Sequence, residues 1–252
     1  MSSGNHAYAQ ARLQARFGAQ PGASVWESLQ TLVELPTLLE QMRVTPLRHW
    51  IASISASTPP HEMERLLRRR MQALIDEVAH WLPAEWRAAV RWTGTLLDLP
   101  ALAHLLRDGE TYAWMQDEPA LQELAALDPS LRAGAVARGR YASLLPRAGD
   151  TTLIARWLLE WRRRWPDAGR RERAGLEQLV ARVRGHLERL VADRNGSGWA
   201  SRNRLRTELT FLFRREARTP TAAFAWLLLA ALELERVRGA LIERAHFAPG
   251  GH

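Results

Sequence analysis

A chain of 252 residues, 46% of them hydrophobic, can bury a sizeable core, and the absence of cysteine excludes disulfides, thiol nucleophiles and cysteine metal sites. Arginine alone supplies the 35 basic residues that face 27 acidic ones; with no lysine and three tyrosines, the formal charge of +8 persists to high pH and suits an acidic surface, nucleic acid or anionic lipid without choosing among them. No stretch reaches the ~20 apolar residues that would span a bilayer and nothing resembles a signal peptide, so a soluble or peripheral protein is expected.

The hydrophobic period is helical almost throughout, which predicts an all-α fold, an irregular multi-helix assembly in one domain over 1–252 with sub-repeats at 8–109 and 110–247. Met1 to Asn5 read as a disordered start. Tyr8 to Phe17 is a helix stopped at Gly18. Ser24 and Glu27 form the capping-box pattern S-x-x-E, opening a helix that Pro36 interrupts. A third short helix begins near Thr45-Pro46. The loop from Ser55 to Pro60 leads into a long helix through Leu82, with Met63, Leu67, Met71, Leu74, Val78 and Trp81 on one side and the triplet Arg68, Arg69 and Arg70 within it.

Pro83, Pro100, Pro119, Pro129 and Pro146 cut the next stretch into short helices. Strong helices follow over 151–165, from Arg170 to Asp193, and from Trp199 to Ala217. The last begins at Thr219-Pro220, with Thr219 as N-cap and Pro220 at the first helical position. From Phe224 to Leu232 it carries no charge and should be buried on every side. Beyond, Leu234, Val237, Leu241 and Ala245 mark an apolar face, while Glu233, Glu235, Arg236, Arg238, Glu243 and Arg244 are assigned to the solvent side. Pro249 to His252 read as a disordered end. One internal echo is visible: Leu32 to Arg43 aligns without gaps to Leu96 to Arg107.

Candidate chemistry is sparse. None of the eight histidines has ligand spacing on a helix, so no metal site is expected. Nucleophile elbow, Walker and dinucleotide patterns are absent, and the G-x-G at Gly196 and Gly198 reads as a turn between helices; neither catalytic nor cofactor-binding residues, nor any small-molecule substrate, are expected. The segment from Arg156 to Asp167 interleaves arginine with tryptophan, a pattern that can grip nucleic acid. At spacing four, however, Trp157, Trp161 and Trp165 form a single stripe suited to a core, and Arg162, Arg163 and Arg164 are carried round the other faces.

Four stretches resemble the central-stalk connector of V-type and archaeal-type rotary ATPases, the subunit called C in prokaryotes and d in the vacuolar enzyme. Tyr8 to Phe17 (YAQARLQARF) is similar to the family's opening helix, and Ser24 to Trp50 to the leucine-rich element that leads to a Thr-Pro step. Asp98 to Gly109 and Leu232 to Arg244 each resemble the family's recurring acidic, aliphatic, Asn-Leu, aliphatic-aliphatic-Arg signature, with Ala101 in the asparagine place of the first copy and Arg236 or Val237 in that of the second. The resemblance implies a funnel-like assembly of repeated helical units, cytoplasmic and peripheral to the membrane. No catalysis is implied, and the partners are the axle subunits and the membrane proteolipid ring. Arg68, Arg69, Arg70, Arg162, Arg163 and Arg164 are then candidate partner contacts. The alternative is an Arg-rich helical nucleic-acid-binding protein.

Overall fold

Proline placement and the helical period decide the architecture. The computed structural model describes residues 3–107, 109–146, 152–167, 169–192 and 198–246, and among these every regular element is helical: fourteen α-helices and three short 3-10 turns, with no strand. The chain divides into two compact units, the first formed by 1–84 with 167–252, the second by 85–166.

In the first unit α1 (Ser3–Gly18), α2 (Ala23–Gln30), α3 (Leu35–Arg43), α4 (Arg48–Ile51) and α5 (Pro60–Trp81) come from the start of the chain. The second unit holds α6 (Arg87–Trp92), α7 (Leu99–Leu105), α8 (Ala113–Gln116), α9 (Gln122–Ala125), α10 (Pro129–Arg138) and α11 (Leu153–Arg163). The chain then re-enters the first unit as α12 (Arg170–Ala192), α13 (Trp199–Arg215) and α14 (Pro220–His246).

The apolar half of α14 is the axis of the first unit, packed by α13, α5, α1, α12 and α3. Phe224, Ala225, Trp226, Leu227, Leu229 and Ala230 are buried, but Leu228, Ala231 and Leu232 are half-buried, so the uncharged run is not enclosed on every side. Each large apolar side chain so enclosed contributes about 1.5–3 kcal/mol over its exposed state, and further along Leu234, Val237 and Leu241 extend the same face. Phe17 of α1 stacks on Phe213 of α13 with ring centroids 4.9 Å apart. A Cβ at Gly175 in α12 would stand 2.8 Å from Thr221 Oγ1, so that glycine is what lets α12 approach the start of α14 so closely.

Several local expectations are corrected. Gly22, not Ser24, is the N-cap of α2, and no side chain caps that helix. Thr219 does not cap α14: its hydroxyl donates to Glu216 O at 2.7 Å, although Pro220 does open the helix. Ser3 to Asn5 belong to α1 rather than to a disordered start, while Met1, Ser2 and the Pro249 to His252 tail lie outside the described residues, as does Gly196. The predicted solvent face of α14 also fails at three of its six residues, which the next subsection takes up.

In the second unit short helices surround the tryptophan stripe. Trp157 and Trp161 are buried and stacked at 5.7 Å, and Trp165 meets Trp161 edge-on at 5.0 Å. Two of the three indole N–H groups are satisfied: Trp157 donates to Thr95 Oγ1 at 2.7 Å and Trp161 to Ala89 O at 3.1 Å, while Trp165 Nε1 is buried without a partner among the described residues. Buried Asp98 accepts from the Tyr141 hydroxyl at 2.7 Å. Asp128 caps α10, and Pro129 opens it. The internal echo has a structural counterpart within each unit: Leu35-Pro36 opens α3 and Leu99-Pro100 opens α7 at the same place in the aligned segments, with Leu35 and Leu38 buried in one and Leu99 and Leu102 in the other.

Candidate functional site

Helical spacing places Trp226, Ala230 and Glu233 on one face of α14, four and three residues apart. This face lines a cavity of roughly 440 Å³ in the first unit, closed on other sides by Arg16 and Gln20 from the end of α1 and by the turn and helix from Thr45 to His49. The volume falls within the range of small-molecule sites.

Glu233 is its most unusual member. Sequence periodicity assigns it to solvent; in the structure it is 3% exposed. Its Oε1 accepts from Trp50 Nε1 at 2.8 Å and lies 3.9 Å from His49 Nε2, whereas Oε2 is buried without a hydrogen-bond partner among the described residues. The indole N–H of Trp226 is likewise buried and unpartnered. Burial raises the Glu233 carboxyl above its ordinary range, opposed by the Trp50 hydrogen bond and by the charge of Arg206. His49 moves the other way: burial lowers it, its contact with Pro46 O opposes, and the positive charges of Arg70 and Arg16 lower it further.

A carbonyl oxygen can only accept, so the 2.8 Å contact between His49 Nδ1 and Pro46 O places a proton on Nδ1 and leaves Nε2 bare when the ring is neutral. Both shifts favour uncharged forms. Glu233 Oε1 and His49 Nε2, 3.9 Å apart, thus form a couple in which burial works against charge on either partner. Among the described residues no group of three or more His, Asp or Glu is placed to hold a metal ion.

The six arginines singled out from sequence do not form one cluster. Arg68, Arg69 and Arg70 lie on α5 in the first unit; Arg69 is exposed, Arg68 and Arg70 are half-buried, and Arg70 alone bears on the cavity, through its field at His49. Arg162, Arg163 and Arg164 lie at the end of α11 in the second unit. Glu160 takes Arg164 at 2.9 Å and Arg163 at 3.9 Å, and the Arg164 guanidinium also covers the Trp92 ring at 4.2 Å. Arg164 is thus tied into packing, while Arg163 keeps an exposed side chain.

Two further residues of α14 depart from the expected solvent face. Arg244 donates to Leu32 O at 2.7 Å, to Ala240 O at 2.9 Å and to Leu29 O at 3.3 Å, so its charge meets the carbonyl end of α2. Arg236 lies half-buried between two tryptophans. A signal for Glu233 did exist in the sequence. It follows Trp226 by seven and Ala230 by three and precedes Val237 by four, which continues the buried face rather than the wet one.

Compared with known proteins, the chain matches no family profile, no curated protein and no solved structure.

Proposed function

We propose that the chain is a non-catalytic rotor subunit of a V/A-type rotary ATPase, a connector between the central axle and the membrane proteolipid ring. The reading rests on the resemblance carried by Tyr8 to Phe17, Ser24 to Trp50 and Leu232 to Arg244. One structural observation supports it: these segments, from opposite ends of the chain, interlock in the first unit. Helix α1 packs on α14, Arg244 caps the carbonyl end of α2, and Trp50 donates to Glu233 across 183 positions of sequence. The remaining segment, Asp98 to Gly109, contributes α7 to the second unit.

A connector must transmit torque without deforming, and the first unit offers a long, largely buried helix braced by five others. Exposed arginines such as Arg69 and Arg163 are suited to charge-assisted contacts with acidic partner surfaces. Among the described residues no helix is long and apolar enough to cross a membrane, so attachment to a ring would be peripheral. The alternative, nucleic-acid binding, loses its best stacking platform because the tryptophan stripe is occupied by packing in the second unit.

The test is affinity purification of the tagged protein from gently solubilised native membranes, with mass spectrometry of its companions. Ring proteolipid and axle subunits are expected. Recovery of nucleic acid or of an unrelated soluble complex in their place would refute the connector.

A further inference from the structure

The second departure on α14 carries a chemistry of its own, independent of the rotor reading. The guanidinium of Arg236 is held between two indoles, 4.1 Å from the Trp26 ring centroid and 4.9 Å from that of Trp199. It has no hydrogen bond and no ion pair among the described residues. This is unusual for a half-buried arginine, which ordinarily finds a carboxylate or carbonyls for its five N–H groups. The neighbouring arginines of the same groove are engaged: Arg202 with Glu235 at 3.0 Å, Arg238 with Glu64 at 2.6 Å, and Arg244 with the α2 carbonyls.

The two indole contacts hold the guanidinium in place, while its N–H groups make no hydrogen bond among the described residues. A planar fork held in this way is pre-organised for two parallel hydrogen bonds to a carboxylate or phosphate, at little further cost in side-chain entropy. The groove has roughly 730 Å³ of room beside it. It also has a further unused donor: Trp26 is 3% exposed, lines the groove, and its Nε1 is buried without a partner. Charge points the same way. Burial and the positive field of Arg206 both work against the Arg236 cation, and only Glu27 on α2 opposes them, at longer range than an ion pair. A bound anion would relieve this imbalance.

We propose that the Trp26–Arg236–Trp199 stack is the anchor of a binding site for a small oxyanion, a carboxylate or phosphate group received by the Arg236 fork and the Trp26 N–H. The site differs from the Glu233 cavity in lining and in chemistry: one presents a cation beside two indoles with no ion pair, the other a buried carboxyl near an imidazole.

Calorimetric titration of the full chain, with inorganic phosphate in one arm and succinate in the other at matched ionic strength, tests this. Saturable binding is expected in at least one arm; binding confined to phosphate assigns the site to phosphate groups, and binding confined to succinate assigns it to carboxylates. Arg236→Gln should weaken the interaction about tenfold or more by removing a charge-assisted bidentate contact, and Arg236→Lys should recover only part of it. Arg238→Gln, which removes an exposed cation already paired with Glu64, should change affinity by less than about threefold. Glu27→Gln should strengthen binding, because it removes the one carboxylate that competes for Arg236. Arg236 makes no hydrogen bond whose loss could unfold the chain, so the variant reports on the site itself. The proposal is overturned if neither anion binds saturably up to about 10 mM, or if Arg236→Gln binds as tightly as the parent.

Discussion

Two arginines, one in each unit, are withdrawn from water to different ends. Arg132 in the second unit is 4% exposed, and its guanidinium makes four hydrogen bonds: it donates to Gly109 O and Thr111 Oγ1 at 2.8 Å each, to Leu127 O at 3.3 Å and to Leu105 O at 3.4 Å. Those acceptors close the ends of α7 and the turns around α8 and α9, so the side chain stands in for secondary structure that short helices cannot provide. Arg236 in the first unit touches two aromatic faces and no acceptor. The contrast teaches that burial of a charge does not by itself define its role. A guanidinium whose donors are consumed belongs to the fold; one whose donors are spare belongs to whatever the protein meets.

The comparison is broken most forcefully in the second unit. Trp161→Ala should destabilise by about 3–5 kcal/mol, the usual cost of emptying a buried indole site, since Trp161 packs on Trp157 and Trp165 and donates to Ala89 O. Urea unfolding would read it; a loss below about 1 kcal/mol would mean that the stripe is not core. Arg132→Met comes next, at about 2–3 kcal/mol: the methionine fills similar volume but removes the donors that serve half-buried Gly109 O and Thr111 Oγ1 and the carbonyls of Leu105 and Leu127. Thermal melts with hydrogen exchange at the amides flanking α8 would show the loss, and a neutral result would remove Arg132 from the fold's account.

How far the sequence reveals these roles follows from what helical periodicity measures. It finds faces, so the all-helical fold, the long α5 and α12, the buried half of α14 and the tryptophan stripe are all legible. It assigns a charged residue to water by default, and that default misplaces Glu233, Arg236 and Arg244. Each is stabilised by partners far away along the chain: Trp50 for Glu233, Trp26 and Trp199 for Arg236, and Leu29 and Leu32 for Arg244. Local pattern contains nothing about such pairings. The arginine triplets fail for the converse reason: three adjacent charges catch the eye, but on a helix they point to different sides, and the structure engages Arg164 with Glu160 and Trp92 while leaving Arg69 exposed.

Glu233 sharpens the comparison through pH. Its proton is held more tightly in the folded chain than at its ordinary value of 4.5, so its burial costs nothing at lower pH, and stability falls as pH rises from about that point through the raised value. His49 and His186, both lowered from 6.5 by burial, act in the opposite sense: the folded chain binds fewer protons, and stability is lost as pH falls below 6.5. Glu233→Gln retains an oxygen to accept from Trp50 and removes the first effect alone. The variant should therefore gain on the parent as pH rises above about 4.5, with the gain vanishing at lower pH. Parallel pH profiles of the two melting temperatures would show that the carboxyl ionises in the folded chain as easily as in the unfolded one.

The smallest expected effect is also the most discriminating. Arg236→Gln should change stability by no more than about 0.5 kcal/mol, because the cation–π contact it loses is offset by the charge it no longer buries, and there is no donor or acceptor left stranded. If Arg236 were a second Arg132, a structural strut, its removal would cost several times as much and any loss of anion binding would follow from damage to the fold. A chain that melts like the parent yet no longer binds phosphate or succinate separates the two roles. A chain that melts much earlier would place Arg236 with Arg132, among the residues that hold helices together.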